Sequence, residues 1–495
     1  VLAVPLVLWS AWRLLDVPQS AGGRRARTVL LVCLMTAALP LVQLVPLPPA
    51  LWTSLPGRAD FVQTLAAAGL EAGWMPLTVS PSSTWLSALA LLPPVAVLMS
   101  AVQLDFADRR RLVLVVLTVG VAGAVLGFVQ IAQGPASPLR FYAVTNPTEA
   151  VGLFANRNHY AALLNCLLPF AVAWSVAAVM RAARGGPWRS RRATPHLIVV
   201  IIGVAVVMLL VGAQFMARSR AGLGLMIVAV LGSIAMVYAI PGDASDPRPA
   251  TSRGGVARIF IWLLLAAVGL AAAIGAQSGF HRLRARSMEQ LLTDGRIPLA
   301  RNTFDAAMAY MPFGSGMGTF VQIYQAFETA ADGFTFSYVN RAHNDFLELW
   351  LEAGLAGLAA ILLFLVWVVR AGLRVWRRGL PGAGRVDNLF ACAAAIVLTT
   401  LLAHSGVDYP LRTTALIAVF VLAAALLIVP VGATVASARP PGAPTEIEVA
   451  ARPEAPSKDE VLARSEGIKA AAPPRGEWPP AWRTPTRSGR SDTSQ

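Results

Sequence analysis

Charge is scarce in this chain of 495 residues: only 14% are Asp, Glu, Lys or Arg, where a soluble protein carries roughly a quarter. That deficit excludes a soluble multi-domain enzyme and argues against disordered or fibrous architectures. Cysteine is nearly absent. Cys33, Cys166 and Cys392 stand far apart inside apolar runs, which leaves no disulfide framework and no metal-ligand pair, so they read as small hydrophobes between helices. There is no HExxH sequence, no Walker sequence and no outward Asp-x-Asp pair, and His159, His196, His281, His343 and His404 are too scattered for a local metal site. No metal and no cofactor is therefore expected. A phosphate-handling site would rely on arginine, with energy drawn from an activated substrate or a gradient. No cleavable signal peptide is visible, because Val1 opens directly into an apolar stretch without a basic flank. Either a GTG-type start is written as Val or residues precede it.

Apolar surface is what the chain has in abundance. Hydrophobic residues make up 56% and the mean hydropathy is +0.61. They lie in runs of roughly 17 to 22, the length that crosses a bilayer as helix. The expected fold is an all-α polytopic membrane protein of about 11 (10–12) transmembrane helices. Spans are expected near 1–15, 28–45, 85–102, 112–132, 160–180, 196–215, 221–240, 259–276, 349–369, 389–404 and 413–432. The net charge of +15 is almost entirely Arg in short linkers, the pattern that sets topology, so it implies no nucleic-acid partner. Linkers holding Arg24, Arg25 and Arg27; Arg109, Arg110 and Arg111; Arg181, Arg184, Arg189, Arg191 and Arg192; Arg248, Arg253 and Arg258; and Arg370, Arg374, Arg377, Arg378 and Arg385 are assigned inside. They fall on every second loop. The outside then receives 46–84, 133–159, 216–220, 277–348 and 404–412. Residues 1–432 thus form a transmembrane domain with one large outer lobe at 277–348. The Pro-, Arg-, Ala- and Ser-rich stretch 433–495 reads as a disordered cytoplasmic tail. No fixed-period repeat or inverted hydropathy symmetry suggests a transporter.

The informative residues are polar groups on the outer side. Arg218 and Arg220, in ARSRAG, are squeezed between two spans with almost no loop; they either snorkel to the interface or face an anionic group, for which the planar Arg fork is suited. Arg296, Arg301 and Arg341 lie in the outer lobe and Arg412 in the last outer turn. In RAHNDFLELWLEAGLAG (341–357), His343 precedes Asn344 and Asp345, which can cap a helix, while Glu348 and Glu352 share one helix face as the chain enters the membrane. His343 is a candidate general base, and Asn344, Asp345 or Glu348 could orient it; a simple capping cluster is the alternative. GLFANRNHY brings Asn156, Arg157, Asn158 and His159, and HSGVDYPLR brings His404, Asp408, Tyr409 and Arg412, to the same side. Convergence of these clusters at one depth suggests a shared pocket. PFGSGMG (312–318) lacks a preceding strand, and reads as a tight turn or re-entrant bend rather than a nucleotide loop.

Together NRNHY, the SRAG junction, DGRIPLARNTFDAAMAYMPFGSGMGTF, AHNDFLELWLEAGLAG and HSGVDYPLR resemble the O-antigen ligase and polymerase family, over most of residues 110–432. That resemblance implies a C-type glycosyltransferase fold in the bacterial inner membrane, with its active site facing the periplasm. It implies a glycan donor on undecaprenyl diphosphate, a glycan or lipid A-core-type acceptor, and inverting, metal-independent transfer. Position by position, Arg220 and Arg296 match the arginines that hold the diphosphate, with Arg218 and Arg301 as their neighbours, and His343 matches the residue that activates the acceptor. Asn344, Asp345, Glu348, Asn156, Arg157, His159 and Arg412 are expected in support. Ala300 and Arg301 stand where a Trp is common in the family. Ligases, polymerases and protein O-oligosaccharyltransferases share these motifs, and a transporter or flippase of lipid-linked glycans would also need outer cations.

The alternation of basic loops makes the topology testable. Reporter fusions at about residue 330 and about residue 460 should give opposite signals, periplasmic and cytoplasmic respectively. Identical signals would overturn the alternating plan.

Overall fold

A computed structural model describes residues 2–18, 20–184, 194–239, 265–266, 269, 295–329 and 338–433. Outside the described residues lie nearly all of the expected span 259–276, most of the basic linkers at 185–193 and 240–258, the outer stretch 277–294 with His281, residues 330–337, and the tail from 434. The chain divides into two units, Val1–Val435 and Ala436–Gln495; all the described residues belong to the first.

The regular secondary structure among the described residues is helical apart from one pair of two-residue strands. In chain order they form α1 (Ala3–Leu15), α2 (Ala21–Gln43), β1 (Pro46–Leu47), α3 (Pro49–Trp52), α4 (Ala59–Ala67), β2 (Met75–Pro76), α5 (Pro81–Ala90), α6 (Leu92–Gln103), α7 (Phe106–Gln133), α8 (Arg157–Arg184), α9 (Thr194–Ala217) and α10 (Arg220–Ala239). They continue with α11 (Arg296–Ala309), α12 (Phe320–Phe327), α13 (Asp345–Arg378), α14 (Arg385–Ser405), a 3-10 turn (Pro410–Arg412) and α15 (Thr414–Leu426). β1 and β2 pair antiparallel, Pro46 opposite Pro76. Among the described residues, eight segments are long and apolar enough to cross a membrane: α2, α5 with α6, α7, α8, α9, α10, α13 and α14. The expected first and last spans are the shorter apolar helices α1 and α15.

Burial separates centre from periphery. About 78% of the apolar window of α8 and 72% of that of α14 is buried, against 28–39% in the other spanning helices. A helix apolar on every side is stable in the middle of a bundle, or facing lipid. α8 and α14 take the middle, packed on each other and each on α10. Leu31, Leu34, Val115, Leu362 and Leu363 are among the exposed apolar side chains of the outer helices. Cys33, Cys166 and Cys392 are all buried free thiols, in keeping with a packing role.

The two ends of the bundle are fastened differently. At the arginine-rich end, fully buried Arg109 donates to carbonyls at the ends of two helices: Ala101 (2.8 Å) and Val102 (2.9 Å) of α6, and Ala425 (2.6 Å) and Ile428 (2.5 Å) at the end of α15. Helix C-termini leave carbonyls without intrahelical partners, and one guanidinium satisfies several here. Arg110 pairs with Asp387 at the start of α14, and Arg25 donates to Pro430 and Ala433 carbonyls.

At the opposite end the glycine-rich stretch docks on a kink in α13. Gly354 adopts φ +56°, ψ −136° inside that helix, a conformation open to glycine. The carbonyls freed there accept hydrogen bonds from the 312–318 turn: Ser315 N to Leu351 O and Gly316 N to Glu352 O, both 2.9 Å. Leu355 N returns one to Pro312 O at 2.9 Å. Buried Gln43, the last residue of α2, bridges the two pieces, donating to Glu352 O and accepting from Met317 N, each at 2.9 Å. The turn expected from PFGSGMG is therefore a bracket, held by positive φ at Gly314, Gly316 and Gly318.

A Cβ at Gly354 would lie 2.2 Å from Pro312 O, whereas one at Gly372 of the same helix would meet Ala395 at 3.8 Å, an ordinary contact. Gly354→Ala is expected to cost about 2 kcal/mol or more and lower the thermal midpoint in detergent. Gly372→Ala should leave the midpoint unchanged, and equal behaviour of the two variants would contradict a bracket seated on the kink.

Candidate active site

His343 and Asp408, 65 positions apart, meet at the end of the bundle that carries the glycine-rich bracket: His343 Nδ1 lies 3.1 Å from Asp408 Oδ1. His343 sits just before α13, at φ +50°, a region that non-glycine residues seldom occupy and that recurs at functional sites. Its position is set by the next residue. Asn344 caps α13, accepting from Phe346 N (3.0 Å) and Leu347 N (3.1 Å), and its amide donates to Gly406 O (3.0 Å) beyond the end of α14. Asp408 follows two residues later, fully buried.

The Asp408 carboxylate is surrounded by donors. Oδ1 takes His343 and the Tyr409 N–H (2.9 Å); Oδ2 takes Asn158 Nδ2 and lies 3.7 Å from Arg296 Nη2. Burial pushes this carboxyl up, but the hydrogen bond and charge of His343, with the fields of His159 and Arg296, more than offset it and hold it down at about 2. An anion facing Nδ1 keeps the proton on that nitrogen, leaving the Nε2 lone pair of a neutral imidazole to accept another. Tyr409 presents its ring edge-on between two imidazoles, centroids 4.7 Å from His159 and 4.8 Å from His343. Burial pushes its phenol up from the ordinary value. Its hydroxyl takes a 3.5 Å contact from Asn156, and His159 Nδ1 meets Thr413 Oγ1 at 3.1 Å.

Beneath this pair lies a buried charged cluster. Asp345, Glu348 and Glu352 occupy one face of α13, and Arg412 reaches all three: 2.9 Å to Glu352 Oε2, 3.5 Å to Glu348 Oε1 and 3.7 Å to Asp345 Oδ1. Burial lowers the affinity of Arg412 for its proton, but the three carboxylates outweigh it and the net shift is upward. Glu348 also takes Arg341 Nη1 (2.8 Å) and Ala342 N (2.9 Å), while Asp345 takes Ser405 Oγ (2.8 Å) and Leu411 N (3.1 Å). These carboxylates therefore tie together the segments that carry His343 and Asp408. The carboxylate at His343 Nδ1 is that of Asp408, while Asn344 caps α13 and Asp345 and Glu348 face Arg412. Arg412 is likewise committed to carboxylates.

The remaining arginines lie on two elements. Arg220 opens α10, exposed at its first turn, and Ser219 caps that turn by accepting from Gly222 N at 3.1 Å. A Cβ on Gly222 would lie 2.6 Å from the Ala161 methyl, so the turn is seated on α8 within one turn of Asn158 and His159. Arg218 has φ +50° and its guanidinium lies 3.5 Å from Thr148 O. Arg157 pairs with Glu149 at 2.7 Å and its N–H donates to Asn146 Oδ1, fastening the preceding loop. Arg301 is exposed on α11, five residues and about 140° around the helix from Arg296. Arg296 is thus the member of that pair beside His343 and Asp408. Asn158 and Asp408 stand in NRNHY and HSGVDYPLR, but no spacing in the sequence pairs them. Among the described residues no group of three His, Cys, Asp or Glu side chains could hold a metal ion.

These features define a multi-pass helical membrane protein with a His–Asp–Arg site at one end of its bundle. Residues 170–362 match the family model Wzy_C, O-Antigen ligase, the family that the motifs resemble. The matched stretch holds Arg220, Arg296 and His343, and leaves Asn158 and Asp408 outside. The family is enzymatic, of glycosyltransferase type, and acts in surface-polysaccharide assembly. No curated protein matches the chain.

Because Asp408 sits below the ordinary carboxylate value, the stabilisation from its contacts is complete above about pH 4 and fades only as pH falls toward 2. It stays an anion throughout pH 5 to 8. Asp408→Asn is expected to lower kcat by about 100-fold or more while the protein inserts normally. Full activity in that variant would remove Asp408 from the machinery.

Proposed function

We propose that the protein transfers a glycan from undecaprenyl diphosphate to an acceptor hydroxyl at the periplasmic face of the bacterial inner membrane, with inversion and without a metal, as an O-antigen or exopolysaccharide ligase or polymerase. The observation that carries this reading is the meeting of His343, Asp408 and Arg296 around one carboxylate. Neutral His343 takes the acceptor hydroxyl's proton at Nε2 as the oxygen attacks the anomeric carbon. Asp408 stabilises the imidazolium that forms. The sugar–oxygen bond to the diphosphate breaks, and negative charge grows on the leaving group. Arg296 and Arg220 meet that charge with paired, charge-assisted hydrogen bonds, the role a divalent ion plays elsewhere. Attack from the face opposite the leaving group inverts the anomeric centre. In this reading the segment 277–348 faces the periplasm and the tail from 433 faces the cytoplasm. The acceptor is a glycan or lipid A-core-type saccharide.

Reconstitution with an undecaprenyl-diphosphate glycan and candidate acceptors tests the whole reading through the new glycosidic product. His343→Ala should abolish transfer while donor binding survives. Arg220→Lys and Arg296→Lys should each lose most transfer, because a point charge does not reproduce the bidentate fork. A chelator should leave the wild-type rate unchanged. Chelator-sensitive turnover restored by a divalent ion would overturn the metal-free route, and an active His343→Ala enzyme would remove His343 as the base.

A further inference from the structure

We propose that Asn158 is a positioning residue, which fixes the nitrogen at which His343 works by holding the far oxygen of Asp408; this rests on His343 being the base. The Asp408 oxygens have separate duties. Oδ1 faces His343 Nδ1 and the Tyr409 N–H, and Oδ2 receives the Asn158 amide. Arg296 stands 3.7 Å from Oδ2, beyond hydrogen-bond reach. Of these groups, Asn158 is the one hydrogen-bonded to Oδ2. The choice of an amide matters. A neutral donor holds the carboxylate without cancelling its charge, so Asp408 faces the imidazole as a full anion. A guanidinium hydrogen-bonded in the same place would offset more of that charge.

Asn158 is itself firmly placed. It lies in the first turn of α8, the most buried spanning helix, and its backbone N–H donates to Asn156 Oδ1 at 2.8 Å. The other charged or titratable groups facing the His343–Asp408 pair are Arg296 on α11, Arg341 and Glu348 around the start of α13, His159 on α8, His404 on α14, and Tyr409. Among the contacts described for Asp408, Asn158 is the neutral side-chain donor.

The test uses the full-length protein in liposomes with undecaprenyl-diphosphate glycan. Asn158→Ala should lower kcat about 10-fold or more with the donor KM within about twofold of wild type. Nitrogen-15 NMR of labelled histidine should show His343 protonated at Nδ1 in the wild type and in both tautomers in the variant. With five histidines in the chain, the His343 signal is assigned by its loss in His343→Ala. If Asn158→Ala does not insert, Asn158→Leu replaces it: a similar size, with no polar atom to donate, and the same two changes expected. Wild-type kcat in an inserted variant, or a lowered kcat with an unchanged tautomer, overturns the proposal. An active His343→Ala enzyme instead overturns the underlying base assignment, which separates the two failures.

Discussion

Three carboxylates on one face of a helix entering a membrane cannot be left without counter-charge, and Arg412 is what makes that face tenable. Desolvating Asp345, Glu348 and Glu352 together would cost far more than a small domain's whole stability. Arg412 approaches all three, Arg341 covers the remaining side of Glu348, and backbone or hydroxyl donors fill further positions. The partners come from segments 341–342 and 405–412, the two that present His343 and Asp408. Charge compensation below thus holds together the segments that carry His343 and Asp408 above. A pair built only on surface loops would lack that restraint.

The same division of labour runs through the bundle. The buried helices α8 and α14 supply the frame, and their ends at the site supply Asn158 and the approach to Asp408. The arginine-rich end uses Arg109, Arg110 and Arg25 to close helix ends on one another. At the site end the 312–318 bracket and Gln43 fasten the kink at Gly354, less than two turns along α13 from Glu348. Arg296 arrives on a separate helix, α11, which packs on α13. Arg296 and His343 therefore sit on different elements that share one carboxylate, Asp408.

The helical spans were largely legible in the chain, since apolar length acts locally and a helix satisfies its own backbone. The helix from Asp345 could be placed by its Asn344 cap, and PFGSGMG marked a turn. Its use as a bracket could not be read, because the partner carbonyls become free only through the kink at Gly354. The site was half legible. His343, Arg220 and Arg296 carry the family's pattern, and NRNHY and HSGVDYPLR announced polar clusters. Arg301 and Arg296 look equivalent in a string of letters; helical rotation separates them.

By itself the sequence determined what short-range physics controls: an all-helical membrane chain, the spans with their flanks, the caps, and a set of arginines and histidines that sit poorly against a purely structural role. Tertiary structure decided the pairing. Asp408 lies 65 residues from His343 and 250 from Asn158, separations at which no backbone periodicity links side chains. Only the packing of α8, α13 and α14 brings them within hydrogen-bond distance. A carboxylate's role depends on which donors reach it once water is gone. Asp345, Glu348 and Asp408 are alike as residues, and the fold makes two of them ties for Arg412 and one the partner of the imidazole.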